Sequence, residues 1–143
     1  MMRLEMVAEN IALKLKSSSS DKMQIACIVA CQLALDEVLI PNFYVIDAFD
    51  QLKRDGFLSV DVIDRLNEIV LALDDQYFEL QESFDDNVRE KSLVFFMQAR
   101  VVSAILFAAG DDAITSSMES IYEASTAVAD ADGFFEKIMQ VLA

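Results

Sequence analysis

The 143-residue sequence contains no histidine and no tryptophan, and it has only three glycines and one proline. Without histidine the chain cannot form a Ser–His–Asp or Cys–His catalytic group, a histidine-ligated zinc site or a di-iron bundle site of the E-x-x-H type. A β-sandwich or barrel needs turn signals at intervals of roughly ten residues, and so few glycines and prolines do not supply them. The sequence therefore predicts an all-α fold.

Cysteines and basic residues are also scarce. Cys27 and Cys31 have a C-x-x-x-C spacing, which matches neither a zinc knuckle nor a redox C-x-x-C, so we expect buried, reduced thiols typical of a cytosolic protein. The chain has 11 basic and 25 acidic residues, for a net charge of −14. Because this charge repels phosphates and anionic lipid, we expect no direct binding of nucleic acid or membrane and attraction to a basic protein partner.

Hydrophobic residues make up 55% of the chain, which excludes a disordered protein. The most apolar continuous stretches, Ile25–Leu35 and Val101–Ala109, are shorter than the roughly 18 residues needed to cross a bilayer. The N-terminal residues lack the apolar core of a signal peptide. We therefore expect one cytoplasmic domain over residues 1–143.

Helices are predicted where apolar residues recur at three- and four-residue steps. The expected architecture is a compact bundle of six to seven helices. Two of them, about Lys22–Leu39 and Val88–Ala109, are apolar nearly all round and are expected at the centre. Other helices are predicted near residues 3–16, 42–54, 59–84, 112–128 and 134–142. Among the side chains expected to face inward are Phe43, Ile46, Phe49 and Leu52 of the helix near residues 42–54, and Phe84 of the helix near residues 59–84.

The helix predicted from Ser59 to about Phe84 has a second periodicity, formed by acidic residues. Their steps of 3, 4, 7, 4, 3 and 4 place them on one face. We call this set the acidic stripe: Asp61, Asp64, Glu68, Asp75, Glu79, Glu82 and Asp86. Like charges one turn apart destabilise a helix by roughly a few tenths of a kcal/mol per pair. Residues 61–90 hold ten acids and two bases, so few opposite charges offset this cost.

The acidic stripe has two interpretations. It is either a solvated face of an acidic protein or a docking surface for a basic partner, in which charge accelerates association. Docking also needs anchors, for which Tyr77 and Phe78 beside the stripe are candidates, with Tyr44 as a further aromatic. The predicted partner-binding set is Asp64, Glu68, Asp75, Glu79, Glu82, Asp86, Tyr77 and Phe78. A smaller acidic face, which includes Glu119 and Glu123, is interpreted as serving solubility.

Carboxylates could also hold magnesium. Glu79, Glu82 and Asp85 resemble half of the motif of all-α nucleotide pyrophosphohydrolases, in which E-x-x-E on one helix faces E-x-x-D on the next. The sequence supplies no second E-x-x-D after Glu90, so we expect neither a catalytic site nor a metal or cofactor. A magnesium-dependent pyrophosphohydrolase stays an alternative hypothesis.

Arg100 is the only charged residue in the apolar run Leu93–Ala109. A buried arginine usually pairs with a carboxylate, so we expect an ion pair with a residue of a neighbouring helix. The alternative is an anion site or an interface residue.

Two stretches, Phe95–Arg100 and Met118–Ala124, resemble small helical proteins encoded beside bacterial polymorphic toxins. The resemblance implies an immunity protein, which is small, acidic and cytosolic and neutralises a basic toxin domain such as a nuclease by binding it. The resulting hypothesis is an immunity or inhibitor protein that covers the toxin with the acidic stripe. An acidic helical adaptor or secretion chaperone is a second alternative.

Overall fold

The computed structural model describes residues 2–143, which form eight α-helices and no β-strand. The helices are α1 (Arg3–Val7), α2 (Glu9–Lys16), α3 (Ser20–Glu37), α4 (Phe43–Asp55), α5 (Val60–Gln81), α6 (Asp86–Ala108), α7 (Ala113–Thr126) and α8 (Ala131–Leu142). The all-α prediction is confirmed, with one helix more than the six to seven expected. The additional helix arises because the first predicted helix is divided at Ala8.

The break at Ala8 follows from packing. Its backbone leaves the helical region, with φ −149° and ψ 65°. Helix α1 packs on α7, whereas α2 packs on both α7 and α8. Leu4 of α1 and Ile11 and Leu15 of α2 are all fully buried. Because one straight helix presents a single apolar stripe to its neighbours, the break allows each half to bury its own side chains.

Local sequence signals set several helix ends. Ser59 caps α5, where its hydroxyl accepts a hydrogen bond from the backbone N–H of Val62, as the sequence predicts. Gly56 ends α4 in the left-handed conformation, with φ 78°. The N-cap of α3 is Ser19, whose hydroxyl accepts a hydrogen bond from the backbone N–H of Lys22.

The core is formed where α3, α7 and the C-terminal half of α6 pack together. Helix α7 buries eight of its fourteen residues, four of which are serines. The hydroxyl of Ser120 donates a hydrogen bond of 2.8 Å to the carbonyl oxygen of Ala104. Small side chains allow close approach of the helices, and the serines satisfy their polar groups on the backbone. Helix α7 is therefore as central as the two helices predicted from their apolar composition.

Helices α5 and α6 form an antiparallel hairpin that extends away from this core. Within residues 71–98, which we call the arm, only Ser92 is buried. The two helices of the arm contact each other, as in the pairing of the Tyr77 and Phe96 rings at 5.3 Å between centroids. Phe84, at the turn of the hairpin, is fully exposed, so the prediction that it faces inward is wrong.

Helix α4 buries only part of the set of side chains expected to face inward. Phe49 and Leu52 are buried as predicted, together with Val45 and Ala48. Phe43 and Ile46 are 75% and 47% exposed, and their predicted inward orientation is therefore wrong. Apolar residues occupy more than one side of this helix, and the neighbouring helices decide which side is covered.

Among the helices of residues 2–143, one, α6, is long and apolar enough to cross a membrane on length and composition. Its most apolar window of 18 residues has a mean hydropathy of 1.5, and 39% of that window is buried within the fold. No continuous apolar run marks this helix in the sequence, because charged residues interrupt its N-terminal half. Core helices of water-soluble proteins have the same composition.

Candidate functional site

The acidic stripe lies mainly along the outward face of α5. All seven carboxylates are exposed, and five of them belong to α5 itself. Glu82 is the C-cap residue of α5, directly after its last turn. Asp86 is the first residue of α6, because α5 ends at Gln81 rather than near Phe84. The expectation that Asp86 shares the face of α5 is therefore wrong.

Exposed apolar side chains alternate with these carboxylates on α5. Val60, Leu71 and Phe78 are 72%, 65% and 63% exposed. These apolar residues and their polar neighbours are three or four positions apart, so they run along one side of the helix. The positions are 60, 64, 67, 71, 75, 78 and 82. Leu71 is thus followed by Asp75, and Phe78 by Glu82. The outward face of α5 is both acidic and apolar.

The two candidate anchors beside the stripe point in different directions. Tyr77 is half-buried between α5 and α6, where it stacks on Phe96. Phe78 points outward and contacts Tyr77 edge-on, with 5.2 Å between the ring centroids. Tyr44, the other candidate, is 55% exposed and lies under the guanidinium of Arg65 at 4.3 Å. The structure therefore leaves Phe78, and not Tyr77, accessible to a partner.

An ion-pair network lies at the base of the arm. Arg100 donates hydrogen bonds of 3.2 Å to Asp74 of α5 and to Glu123 of α7. Glu123 also accepts a hydrogen bond of 3.1 Å from Arg3, which pairs with Glu119 as well. Burial lowers the pKa of Arg3, but the hydrogen bonds to Glu119 and Glu123 outweigh it and the pKa is raised. The expected ion pair of Arg100 with a neighbouring helix is confirmed.

Glu123 is the residue of this network that sequence reasoning misplaced. Its side chain is only 5% exposed, so its assignment to a solvated acidic face is wrong. The signal that could have identified it is Arg100 itself, because a cation in an apolar run requires a carboxylate from another helix. Sequence periodicity did not show which carboxylate would be close enough.

A cleft lies between α4 and α5. It has a volume of about 510 Å³, and its wall includes Tyr44, Gln51, Asp61 and Arg65. Carboxylates and guanidinium groups both line it, so its charge selects neither a cation nor an anion. Asp61 belongs to this cleft and to the acidic stripe, which places the cleft at the N-terminal end of the stripe.

The carboxylates of the alternative magnesium hypothesis do not converge. Glu79, Glu82 and Asp85 are all exposed, and the carboxylate of Asp85 accepts the backbone N–H of Asn87 at 2.9 Å to cap α6. Over residues 2–143, no group of three or more Asp, Glu, Cys or His side chains is arranged to hold a metal ion.

No protein-family model, curated protein or solved structure matches this chain. Function therefore has to be inferred from the geometry and charge of the chain itself.

Proposed function

We propose that this protein is a protein-binding module that docks the outward face of α5 onto a basic protein partner. The more specific proposal is an immunity or inhibitor protein of the bacterial cytoplasm that covers a basic toxin domain, such as a nuclease. The observation that carries the proposal is the alternation of exposed Leu71 and Phe78 with the carboxylates of the acidic stripe.

Two physical contributions are combined on this face. The carboxylates attract a cationic surface over distances near the Debye length of roughly 10 Å, which raises the association rate. Desolvation of Leu71 and Phe78 would then slow dissociation, as central apolar anchors do at protein interfaces. A face that serves only solubility gains nothing from an exposed phenylalanine, and exposed apolar side chains near one another are typical of interaction sites.

A charge-reversal experiment tests the proposal. The neighbouring genes are first searched for one that encodes a basic toxin domain, and the absence of such a gene would contradict the immunity assignment. That toxin domain is the probe, and association is measured by stopped-flow at several salt concentrations. Reversal of Asp75, Glu79 and Glu82 to Lys is expected to slow association by roughly tenfold or more at low salt and to flatten its salt dependence. The matched control reverses three exposed carboxylates outside α5, namely Asp111, Asp132 and Glu136.

The control variant is expected to retain most of the association rate. Equal effects of the two triple reversals would contradict docking through α5, because they would show that only net charge matters. Inhibition of the toxin's own activity separates an immunity protein from an adaptor or chaperone, since an adaptor binds without neutralising the enzyme.

A further inference from the structure

Exposed apolar residues lie on both helices of the arm. On α5 they are Leu71 and Phe78, at 65% and 63% exposure. On α6 they include Leu93 and Met97, at 43% and 38%, while Val94, at 53%, lies outside the line of these two residues. In each pair the residues are separated by one or two helical turns, so each pair forms a row along its helix. The question is whether the two rows face the same side of the hairpin.

Contacts at the base of the arm show that the two rows face the same side of the hairpin. Arg100 of α6 contacts Asp74 of α5 and Glu123 of α7, so Arg100 and Asp74 both lie on the side of the hairpin that faces α7. Leu71 and Phe78 are three residues before and four residues after Asp74. Leu93 and Met97 are seven and three residues before Arg100. Residues at these separations share a helix face, and both rows therefore lie on the side facing α7.

Helix α7 covers this side only at the base. It runs along α6 from Ser120, opposite Ala104, to Glu123, opposite Arg100, and it ends at Thr126. The chain then turns into α8, which packs mainly on α3. Beyond Thr126 this side of the hairpin is not covered by α7, and the exposed side chains of Phe78 and Leu93 border an open groove in line with α7. The part of α6 that α7 leaves uncovered, residues 86–97, is about 12 residues or roughly 18 Å long.

Carboxylates border the groove on both helices. Asp75 and Glu82 each follow an apolar residue of the α5 row by four positions. Glu90 and Asp86 continue the α6 row from Leu93 toward the tip, at steps of three and four positions. Arg89 pairs with Asp86 and offsets part of this charge. Residues 71–98 as a whole hold seven acids and two bases. The groove thus has an apolar floor and an acidic rim.

We propose that this groove binds one basic, amphipathic α-helix of the partner, about three turns long, which lies in line with α7 and forms a three-helix bundle with α5 and α6. This inference rests on the proposed function and specifies the element of the partner that is recognised. Apolar side chains of that helix would cover Phe78 and Leu93, and its Lys or Arg side chains would meet the rim. A second copy of this chain is disfavoured as the occupant, because two arms of the same negative charge repel each other.

The first test uses a synthetic helical peptide of about 16 residues, with leucines on one face and lysines on both flanks. NMR of the leucine and methionine methyl groups is expected to show shifts at Leu93 and Met97, and none at Leu13. The Phe78→Gln/Met97→Gln variant is expected to weaken binding by roughly tenfold or more. Its matched control is Leu13→Gln/Ile25→Gln, which changes two apolar residues that are equally exposed but lie outside the arm.

A peptide of the same pattern with glutamate in place of lysine is expected not to bind. Binding of both peptides, or no shift in the groove, would overturn the inference. Dimers of the free chain that the Phe78→Gln/Met97→Gln variant dissociates would identify a second copy as the occupant. Binding to phosphatidylcholine or phosphatidylglycerol vesicles that is lost in the same variant would identify a lipid surface. Either result would replace the proposed helix.

The Leu93→Gln/Met97→Gln variant separates this inference from the proposed function, because it leaves Leu71 and Phe78 of α5 unchanged. If toxin binding depends on the acidic stripe but is unchanged in Leu93→Gln/Met97→Gln, the groove is not the site of recognition and docking through α5 survives. If the peptide binds the groove but the toxin domain does not bind the chain, the groove is a helix-binding site and the toxin assignment fails.

Discussion

Arg100 and Glu123 are the residues whose interaction connects the arm to the core. Glu123 is nearly fully buried and accepts hydrogen bonds from both Arg100 and Arg3. We expect Glu123→Gln to lower the free energy of unfolding by about 3 kcal/mol. The substitution removes the buried negative charge that the guanidinium groups of Arg100 and Arg3 share, and it leaves these cations only partly compensated. Urea unfolding, followed by circular dichroism, measures this change.

The control for this prediction is Asp50→Asn, which breaks the exposed pair of Asp50 with Lys53. An exposed pair of this kind contributes about 0.5 kcal/mol or less, so the control is expected to have almost no effect. A loss for Glu123→Gln no larger than that of the control would show that the network contributes little to stability.

The two thiols give a prediction that depends on pH. Burial raises the pKa of Cys27 and of Cys31 to about 12. Because the neutral thiol is favoured in the folded protein, its contribution to stability is complete below the ordinary thiol pKa of about 8.5 and is lost as the pH rises toward about 12. The free energy of unfolding is therefore expected to fall with pH above about 9, by at most about 1.4 kcal/mol per pH unit for each thiol.

The Cys27→Ala/Cys31→Ala variant is the reference for that measurement, since it retains the other groups that titrate at high pH. The wild type is expected to lose more stability than this variant between a pH of about 9 and about 11. At a pH of about 8, the native thiols are expected to react with Ellman's reagent only as fast as the chain opens. Rapid reaction of either thiol in the native protein would contradict burial of that residue.

At the scale of the helix, Gly56 shows how a single backbone angle ends α4. Its φ of 78° is unfavourable for any residue with a Cβ atom, but no other atom lies within 4 Å of where that Cβ would be. Gly56→Ala is therefore expected to destabilise the protein by about 1 kcal/mol through the backbone alone, and Gly56→Asn by less. Thermal unfolding of the two variants checks the order, and equal losses would point to a cause other than the φ angle.

Helix α6 is expected to have two levels of stability along its length. Its buried residues lie between 99 and 108, apart from Ser92, whereas the N-terminal half contacts α5 only within the arm. Backbone amides of residues 101–108 are expected to exchange with solvent only through global unfolding. Those of residues 90–97 are expected to exchange roughly tenfold faster or more. Hydrogen exchange measured by NMR resolves the two halves, and uniform protection along α6 would contradict this division.

Sequence periodicity predicted most helices but not which faces are covered. A three- and four-residue spacing shows that Phe43 and Ile46 share a side of α4, but the contacts of α4 select the side of Val45 and Leu52. In the same way, Phe84 continues the apolar period of α5 and yet lies at the exposed end of the arm. The period is a property of one helix, whereas burial depends on a second helix that the period does not specify.

The candidate site was predictable to a similar degree. Spacing alone placed Asp64, Glu68, Asp75 and Glu79 on one face, because all four belong to one regular helix. Spacing could not decide between Tyr77 and Phe78, since this depends on the rotation of α5 against Phe96. The arm itself had no signal in the sequence, because it depends on where α7 ends relative to α6.

Considered as a whole molecule, the protein separates the residues that stabilise it from those that we propose to bind. The core of α3, α7 and half of α6 contains most of the fully buried side chains, while residues 71–98 contribute exposed apolar and acidic groups. Substitutions on the arm are therefore expected to change binding with little effect on folding. This separation makes arm variants interpretable in a binding experiment.

The chain has a net charge of −14, and removal of like charges from its acidic stripe is expected to stabilise the fold. The variant Asp64→Asn/Glu68→Gln/Asp75→Asn/Glu79→Gln removes two like-charged pairs one turn apart, so it is expected to raise the free energy of unfolding by roughly 0.5–1 kcal/mol. Because salt screens the same repulsion, an increase from about 10 to about 300 mM NaCl is expected to stabilise the wild type more than this variant. Urea unfolding at both salt concentrations measures this difference.

Asp36→Asn/Asp111→Asn, at exposed positions with no acidic residue three or four positions away in the chain, is the control and should change stability little. If the acidic stripe exists for binding, the four-residue variant should be more stable and at the same time bind the basic toxin domain more weakly, as expected where function opposes stability. Greater stability with unchanged binding would instead show that the stripe is a solvated face.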